Sequence, residues 1–414
     1  MNKFLKEFKD RGYFYQCTNE NDLSDLLSNK SINAYIGFDS TASSLHVGSL
    51  LQIMCLRLLQ KHGHRPIVLL GGGTTRIGDP SGKEETRKIL TGKQIENNIK
   101  NIEKVFKIFL KTSNPKLKPI FVNNYKWLGK LNYINFLREI GKHFTINKML
   151  SFESVKLRLD REQSLSYMEF NYMILQAYDF LELNKNKNCM LQIGGSDQWG
   201  NIINGIELIK KHSNNHVYGL TTPLITLASG TKMGKTEKGA IWLDKKLLSP
   251  FNYFQFWRNT DDRDVIKFLK MFTDLKLSEI EKIKGDNIND LKMLLAKHAT
   301  EMLHGNHETL KASETTVSIF AKKEINNQID LPVIKLKRKE IKDGLSILDL
   351  VTRAKLLKSK SEVRRAIKDN GIKIDDFPIE NDDYLISISD FKENKNLFKL
   401  SHGKKNHVII KLIN

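Results

Sequence analysis

Short apolar runs alternate with longer amphipathic segments in the first half of the chain. The runs Ala34–Phe38, Ile67–Leu70 and Leu191–Ile193 have the length of buried strands. Leu50–Gln60 predicts a largely buried helix, and Lys93–Leu110 carries apolar residues at helical spacing with lysines on the opposite face. Strands that alternate with helices in this way are typical of a parallel sheet with crossover helices. We therefore predict an α/β fold for this half of the chain.

The pattern becomes helical from about Ser249, where a Ser-Pro pair opens a series of amphipathic segments. A polar stretch with a single proline follows and predicts a linker at 326–343. The remaining residues have an apolar periodicity of their own, which indicates a small separate unit. We therefore predict three domains, with the linker before the last of them: 1–225, 226–325 and 344–414.

Composition excludes several classes of protein. The three cysteines (Cys17, Cys55 and Cys189) lie far apart, so they predict neither a disulfide framework nor a zinc ribbon. No apolar run reaches the ~18–20 residues of a membrane span, and the first twelve residues lack a signal-peptide core. We expect a protein of the cytosol or of an organelle matrix, and we predict the cytoplasm.

The net charge suggests a polyanionic partner. The 414 residues include 67 Lys+Arg and 47 Asp+Glu, which leaves a formal charge of +20. Lysine and arginine neutralise phosphates, so nucleic acid is one interpretation. A chain rich in Lys, Asn and Ile through base-composition drift is the other. The positions of the charges have to decide between them.

The first candidate motif is a strand, Tyr35–Thr41, followed by Leu45–Ser49, where a helix is expected to begin at or near His46. The N-terminus of a helix has free N–H groups that suit phosphate or ribose. Gly48 would let a flat base or sugar approach the backbone. For this stretch alone, an ordinary helix cap with a surface histidine is the better interpretation.

The second motif joins Gly71–Thr74 to Ile77–Lys83. It is not a P-loop, because only three residues separate Gly78 from Gly82 and a glutamate follows the lysine. What remains is a glycine-rich strand end, the carboxylate of Asp79 and two nearby cations, Lys83 and Arg87.

The third motif is Thr231–Thr236, in which Lys232 and Lys235 stand in a glycine-interrupted segment. Such a segment predicts a mobile cationic loop that closes over a polyphosphate leaving group. A solvated turn is the alternative and is favoured if the segment is considered by itself.

Taken in order, the motifs resemble those of the class I aminoacyl-tRNA synthetases. His46–Ser49 is similar to the HIGH motif, and Lys232–Thr236 is similar to the KMSKS motif. Tyr172–Asp179, Gln192–Asn201 and Gly78–Gly82 are similar to the bacterial-type tyrosyl-tRNA synthetases, and the resemblance covers essentially the whole chain. It implies a Rossmann-like parallel-sheet catalytic domain with a helical insertion, then an α-helical domain and a small α+β RNA-binding domain.

The resemblance implies that the chain converts L-tyrosine and ATP to tyrosyl-adenylate and pyrophosphate, then transfers tyrosine to the 3'-terminal adenosine of tRNA(Tyr). The implied tyrosine-binding residues are Tyr35, Asp79, Tyr172, Gln176, Asp179 and Gln198. The implied ATP-binding residues are Asp39, His46, Gly48, Ser49, Asp197 and Lys235. The implied catalytic residues are Thr41, His46, Lys83, Arg87, Lys232, Lys235 and Thr236. ATP with Mg²⁺, no organic cofactor, no zinc or other protein-bound metal, a homodimer and no membrane are also implied.

Tyr35 and Asp179 are the implied partners of the phenol hydroxyl, and phenylalanine would leave both unpaired. The spacing of Tyr172, Gln176 and Asp179 is that of one helical face, so ordinary packing is the alternative. Two residues depart from the family. Ser49 replaces the usual His or Asn, and Ser40 replaces the usual Pro, which we expect to loosen the loop that carries Thr41.

The C-terminal unit resembles the ribosomal-protein S-four-type RNA-binding domain, through Lys358–Ile374. Residues 353–373 contain eight basic and two acidic side chains, a density that favours RNA over a solvated helix. The candidate tRNA-binding residues are Arg353, Lys358, Lys360, Arg364, Arg365 and Lys368.

Two other functions stay open from the sequence. One is a tryptophanyl or other class I synthetase, against which the Tyr35 and Asp179 pair argues. The other is an RNA-binding or splicing factor that kept the scaffold and lost the chemistry. The presence of His46, Asp79 and both lysines of the third motif argues against this second alternative.

Overall fold

The structure is a computed structural model that describes residues 1–80, 90–236, 239–321, 332–391, 396–403 and 406–413. The chain divides into two units, Met1–Gly305 and Asn306–Asn414. Gly305 has a φ of 80° and a ψ of 169°, so it interrupts the helical segment that crosses this division.

One central sheet organises the first unit. Its strands are β1 (Gln16–Cys17), β2 (Asn33–Asp39), β3 (Arg65–Gly71), β4 (Ile120–Asn123), β5 (Cys189–Gly195) and β6 (Tyr218–Thr222). They lie in the order β1-β6-β5-β2-β3-β4, and every neighbouring pair is parallel except β1 with β6. The strands predicted from the apolar runs are β2, β3 and β5. A short hairpin, β7 (Lys235–Thr236) with β8 (Gly239–Ala240), lies apart from this sheet.

Helices follow the strands as the pattern predicts. They are α1 (Lys3–Asp10), α2 (Glu20–Asn29), α3 (Leu50–Lys61), α4 (Thr74–Ile77), α5 (Gly92–Phe109), α6 (Tyr125–Leu128), α7 (Tyr133–Glu139), α8 (Ile146–Leu150), α9 (Glu153–Asp160), α10 (Tyr167–Phe170), α11 (Tyr172–Lys187) and α12 (Trp199–Ser213). Every apolar residue of the predicted stripe on α5 is buried, and Thr91 and Gln94 form a capping box that starts this helix.

The helical part of the first unit begins at Ser249, whose side chain caps the next helix, with Pro250 in its first position. The helices are α13 (Pro250–Arg258), α14 (Val265–Phe272), α15 (Leu277–Lys282) and α16 (Ile288–Ala321), the last of which contains Gly305. Trp257 packs against Phe268 and Phe272, with ring centroids 6.1 and 5.1 Å apart. This aromatic cluster packs α14 against α13.

The second unit begins with the part of α16 that follows Gly305, and its remaining elements form a small α+β domain. Its elements are β9 (Val333–Lys337), α17 (Arg338–Lys342), α18 (Ile347–Arg353), α19 (Lys360–Lys368), β10 (Ile372–Ile374), β11 (Phe377–Pro378), β12 (Leu397–His402) and β13 (Asn406–Ile413). The strand order is β11-β10-β12-β13-β9, and apolar residues of both helices and strands form one core. The predicted fold class is confirmed for both units.

One expectation needs correction. Residues 332–343 were expected to be irregular linker, yet β9 and α17 lie there. Leu336 of β9 is fully buried, and the strand pairs in parallel with β13 at the other end of the unit. The domain boundaries themselves stay predictions.

Candidate active site

A cavity of about 290 Å³ opens at the carboxyl ends of β2 and β5. In the sheet, β3 is the neighbour of β2 on one side and β5 is its neighbour on the other. The cavity therefore lies where the strand order reverses. Ten of the predicted residues line it: Tyr35, Asp39, Gly48, Ser49, Asp79, Tyr172, Gln176, Asp179, Asp197 and Gln198. The fold therefore brings most of the predicted tyrosine and ATP residues together.

A buried hydrogen-bond network surrounds Asp179, which is only 2% exposed. One carboxylate oxygen accepts from Asn124 Nδ2 at 2.9 Å and the other from Trp127 Nε1 at 2.7 Å. The amide oxygen of Asn124 accepts from the backbone N–H of Gly73 at 2.7 Å. The Asn124 side chain is therefore hydrogen-bonded through both its oxygen and its nitrogen. The network fixes the direction in which Asp179 faces the cavity.

Burial raises the pKa of Asp179 to about 7, and the negative charges of Asp39 and Glu182 act in the same direction. The hydrogen bonds from Asn124 and Trp127 act against this rise because they favour the ionised form. The carboxyl group is therefore poised between its two protonation states near neutral pH.

This pKa predicts a pH dependence of stability. The folded-state value of about 7 lies above the ordinary value of 3.8, so between these pH values the folded protein keeps a proton that the unfolded chain has lost. We expect the free energy of unfolding to fall, relative to that of Asp179→Asn, as the pH rises from about 4 to about 7. Urea unfolding of both proteins across this range measures the difference. A difference that stays constant with pH would contradict the assigned pKa.

Three buried polar atoms of the cavity wall have no hydrogen-bond partner in the described part of the chain. They are the Tyr35 hydroxyl and the Oε1 atoms of Gln52 and Gln192, and Tyr35 is paired with Gln192 in the register of β2 and β5. Tyr35 is 1% exposed, and burial, together with the nearby charge of Asp179, raises the pKa of its phenol. Because an unpaired buried polar group is costly, these atoms indicate a polar ligand.

The rim of the cavity is tied together by side chains from three elements. Gln198 Nε2 donates to Asp79 at 3.0 Å. Asn201 Nδ2 donates to Gln176 at 3.0 Å and to Gln198 at 3.2 Å. Tyr172 Oη donates to Asp39 at 3.3 Å. The predicted ligand-binding residues therefore hold one another in place.

The first and third motifs contact each other. His46 precedes the short turn before α3, and its Nδ1 atom accepts from the N–H of Gly48 at 3.0 Å. Gly234 has a φ of +119°, and a Cβ atom there would lie 2.7 Å from His46 Nδ1. A Cβ atom on Gly48 would lie 2.8 Å from the carbonyl oxygen of Met233. Only glycine fits at these two positions. The segment 225–236 that carries both lysines, here called the lysine loop, therefore lies directly on His46 and Gly48.

Of the cations predicted to contact phosphate, the structure describes the side chain of Lys232. Lys232 is exposed, and its charge counters the rise in the pKa of Asp197 that desolvation and Asp79 cause. Lys235 and Thr236 form β7, although the structure describes only their backbone. Lys83 and Arg87 lie outside the described residues.

Thr41 and His46 do not line the cavity, and Thr41 is exposed. The preceding residue, Ser40, is fully buried. Its N–H donates to Thr75 Oγ1 at 2.7 Å, and its carbonyl accepts from Asn98 Nδ2 at 2.8 Å. A proline could not donate this first bond, so the loop is anchored at Ser40 rather than loosened there as expected.

All six candidate tRNA-binding residues are exposed in the second unit. Three of them form ion pairs, Arg353 with Glu340, Lys360 with Asp349 and Arg364 with Asp382. Within the ranges that the structure covers, Lys358, Arg365 and Lys368 have no ion-pair partner, so their charges are available to a ligand.

Sequence reasoning missed the network around Asp179. Asn124 and Trp127 follow the edge strand β4, which no apolar run had indicated. The pair Asn123-Asn124 directly after Ile120–Val122 was a usable signal, because polar residues at the carboxyl end of a parallel strand are often part of a site.

Comparison with known proteins agrees with this geometry. Residues 27–321 match the family described as tRNA synthetases class I (W and Y). The tyrosine–tRNA ligase of Pelagibacter ubique is 68% identical over the full length of both chains. That of Rickettsia bellii is 48% identical over 99% of this chain and 100% of its own. The crystal structure of a C-terminally truncated mitochondrial tyrosyl-tRNA synthetase from Aspergillus nidulans superposes with a TM-score of 0.70 at 31% identity, covering 77% of this chain and 94% of that one.

The chain therefore belongs to the class I tRNA synthetases of the tryptophan and tyrosine group. Within that group its full-length similarity puts it among the bacterial-type tyrosyl-tRNA synthetases. No helix in the described ranges is long and apolar enough to cross a membrane.

Proposed function

We propose that the cavity at β2 and β5 is where this chain activates L-tyrosine with ATP. As a member of the tyrosyl-tRNA synthetases it is an enzyme, a tyrosine–tRNA ligase, and ATP, tyrosine and tRNA are its substrates. The observation that carries the assignment is the buried Tyr35 hydroxyl, which lacks a partner within the described residues and lies beside Asp179. A phenol hydroxyl can donate to the carboxylate and accept from Tyr35, so tyrosine satisfies both groups.

The remaining wall residues suit the other groups of the substrates. Asp79, Tyr172 and Gln176 would surround the ammonium of tyrosine with one carboxylate and two neutral acceptors. Gln198 would orient the substrate carboxylate. The ATP ribose and base would lie against Asp197, Gly48, Ser49 and Asp39, on the side of the cavity nearest the lysine loop.

The chemistry requires no protein nucleophile. The tyrosine carboxylate oxygen attacks the α-phosphorus of MgATP, the bond from that phosphorus to the β-bridging oxygen breaks, and pyrophosphate leaves. Catalysis is positioning together with charge stabilisation. The proposed groups that contact the phosphates are Thr41, His46, Lys83, Arg87, Lys232, Lys235 and Thr236. In the second step the 3'-terminal adenosine hydroxyl of the tRNA attacks the adenylate carbonyl and AMP leaves.

Amino-acid-dependent ATP–pyrophosphate exchange tests this function. Exchange that depends on tyrosine, with little exchange on tryptophan or phenylalanine, is the expected result. Exchange that depends on tryptophan would mean that the pocket is misassigned. No exchange, with RNA binding retained, would indicate a protein that kept the scaffold without the chemistry.

For the second unit we propose that Arg365 and Lys368 on α19 contact tRNA phosphates. Replacing both by Gln should weaken tRNA binding. The slope of the logarithm of the binding constant against the logarithm of the salt concentration should become shallower by about 0.7–0.9 for each lost contact. Tyrosine-dependent exchange should stay unchanged. Filter binding at several salt concentrations measures the slope, with Lys93→Gln/Lys100→Gln on α5 as a control of equal charge. Equal losses in both double variants would contradict a specific role for α19.

We also propose that the chain forms a homodimer through an apolar surface on α7–α10, the insertion surface. Its exposed members are Tyr133, Ile134, Leu137, Ile146, Leu150, Leu159, Tyr167 and Met168. The hydroxyls of Tyr133 and Tyr167 lie 3.0 Å apart, which joins α7 to α10 in one surface. An apolar surface of this kind favours a protein interface.

Sedimentation should give twice the mass of one chain. Ile134→Asp should sediment as a monomer, because it would bury a charge in the interface. Ile108→Asp, which changes an exposed isoleucine on α5, should stay dimeric. A wild-type monomer would contradict the proposal. The cytoplasmic location and the absence of zinc stay predictions.

A further inference from the structure

A buried carboxylate at the start of α14 contacts the lysine loop. Asp264 is 6% exposed and stands in the N-cap position of α14, but its side chain makes no hydrogen bond to its own helix. Its Oδ2 atom instead accepts from the backbone N–H of Ala228 at 2.7 Å. The side chain that would ordinarily cap this helix is therefore directed at a neighbouring segment.

That segment is the first half of the lysine loop, which folds as a hairpin. The N–H of Leu227 donates to the carbonyl of Thr231 at 2.8 Å, and the N–H of Met233 donates to the carbonyl of Ile225 at 2.9 Å. The first arm of this hairpin, residues 225–228, is bonded to Asp264. The second arm, residues 231–234, carries Lys232 and ends at Gly234, which lies against His46. A shift of the first arm is thus transmitted through the hairpin to the lysines.

A second bond joins the same helix to the same arm. Lys267, about one turn after Asp264, donates from Nζ to the carbonyl of Thr226 at 3.3 Å. The hairpin is therefore bonded to α14 at two points, Ala228 and Thr226.

The other end of α14 is itself fixed. Arg11, almost fully buried, donates to the carbonyls of Lys270 and Thr273 at 2.8 and 3.1 Å. The hydroxyl of Tyr13 donates to the carbonyl of Met271 at 2.6 Å. The N-terminal segment and the aromatic cluster around Trp257 therefore make α14 a rigid support for the loop.

We propose that Asp264 is a positioning residue, which holds the loop of Lys232 and Lys235 in place for the pyrophosphate-releasing step. This inference rests on the proposed function of the cavity. Asp264 does not line that cavity, so it acts through the loop and not by contact with a substrate. The proposal therefore separates two quantities: tyrosine binding, which needs only the cavity, and adenylate formation, which also needs the loop.

The test compares Asp264→Ala, Asp264→Asn and the control Asp286→Ala, which removes an exposed carboxylate from the same helical part of the chain. In a rapid-mixing experiment, Asp264→Ala should form adenylate about tenfold more slowly, as the loss of one hydrogen bond to a charged group predicts. Its affinity for tyrosine should stay within about twofold of the wild-type affinity. Asp264→Asn should recover most of the rate, because an amide oxygen accepts the same bond.

An unchanged rate in Asp264→Ala would overturn the proposal. A parallel loss of tyrosine affinity would also overturn it, because that would be general destabilisation. Trypsin cleavage after Lys232 gives a readout that does not depend on activity, and it should be faster in Asp264→Ala than in the wild type or in Asp286→Ala. If the wild type has no tyrosine-dependent activity, the proposed function fails, whereas equal cleavage rates would refute only the role of Asp264.

Discussion

Replacing Asp179 by alanine is expected to lower kcat/KM for tyrosine-dependent ATP–pyrophosphate exchange by about 10²–10³-fold. The substrate hydroxyl would lose its proposed carboxyl acceptor, and Asn124 and Trp127 would keep buried donors without the Asp179 oxygens that they bind. Each unsatisfied buried group costs about 1–3 kcal/mol, and one or two such losses account for the expected range. Exchange kinetics over a range of tyrosine concentrations measure the change.

The variant should also discriminate less between tyrosine and phenylalanine, because one of the two groups that phenylalanine would leave unpaired is gone. Glu96→Ala is the control. It removes an exposed carboxylate of α5 that does not line the cavity. Its exchange should stay within about twofold of the wild-type value. Near-normal exchange in Asp179→Ala would overturn the assignment of the pocket.

Local pattern was enough to predict elements whose burial is continuous along the chain. The stripe on α5 and the apolar runs of β2, β3 and β5 are signals of this kind, since each element buries its own residues whatever its neighbours are. β4 and β9 carry weaker patterns. β9 is stabilised by pairing with β13, which lies some 75 residues further along the chain, and no local window contains that information.

The same distinction applies to the site. Ten residues that line the cavity could be predicted, because they belong to motifs that follow one another along the chain. Residues that act through others could not. Asn124 matters because it joins Gly73 to Asp179, and Asp264 matters because it reaches Ala228. Ser40 shows the converse, since the motif predicted a weaker loop and the structure gives it two hydrogen bonds.

Replacing Gly234 by alanine should be the most damaging single-methyl change in the lysine loop. The φ of +119° is strained for alanine, at about 1–3 kcal/mol, and the new methyl would lie 2.7 Å from His46 Nδ1 and 3.0 Å from the backbone nitrogen of Gly48. The loop relieves this collision by moving away from His46, which would separate Lys232 and Lys235 from the phosphates that we propose they contact. We expect the rate of adenylate formation to fall about 10²-fold, with tyrosine affinity unchanged, as measured by rapid mixing and equilibrium binding.

Gly230→Ala is the control that separates strain from contact. Gly230 lies in the same hairpin with a φ of +83°, but a Cβ atom there would have no neighbour within 4 Å. Alanine at position 230 is strained in its backbone, as at position 234, but its methyl group collides with nothing. The Gly230→Ala variant should therefore form adenylate no more than about threefold more slowly than the wild type. If Gly230→Ala and Gly234→Ala lose the same activity, strain alone explains the effect, and the contact between His46 and the loop has no catalytic importance. A large loss confined to Gly234→Ala would mean that adenylate formation depends on the close approach of the lysine loop to His46, an approach that only glycine at this position permits.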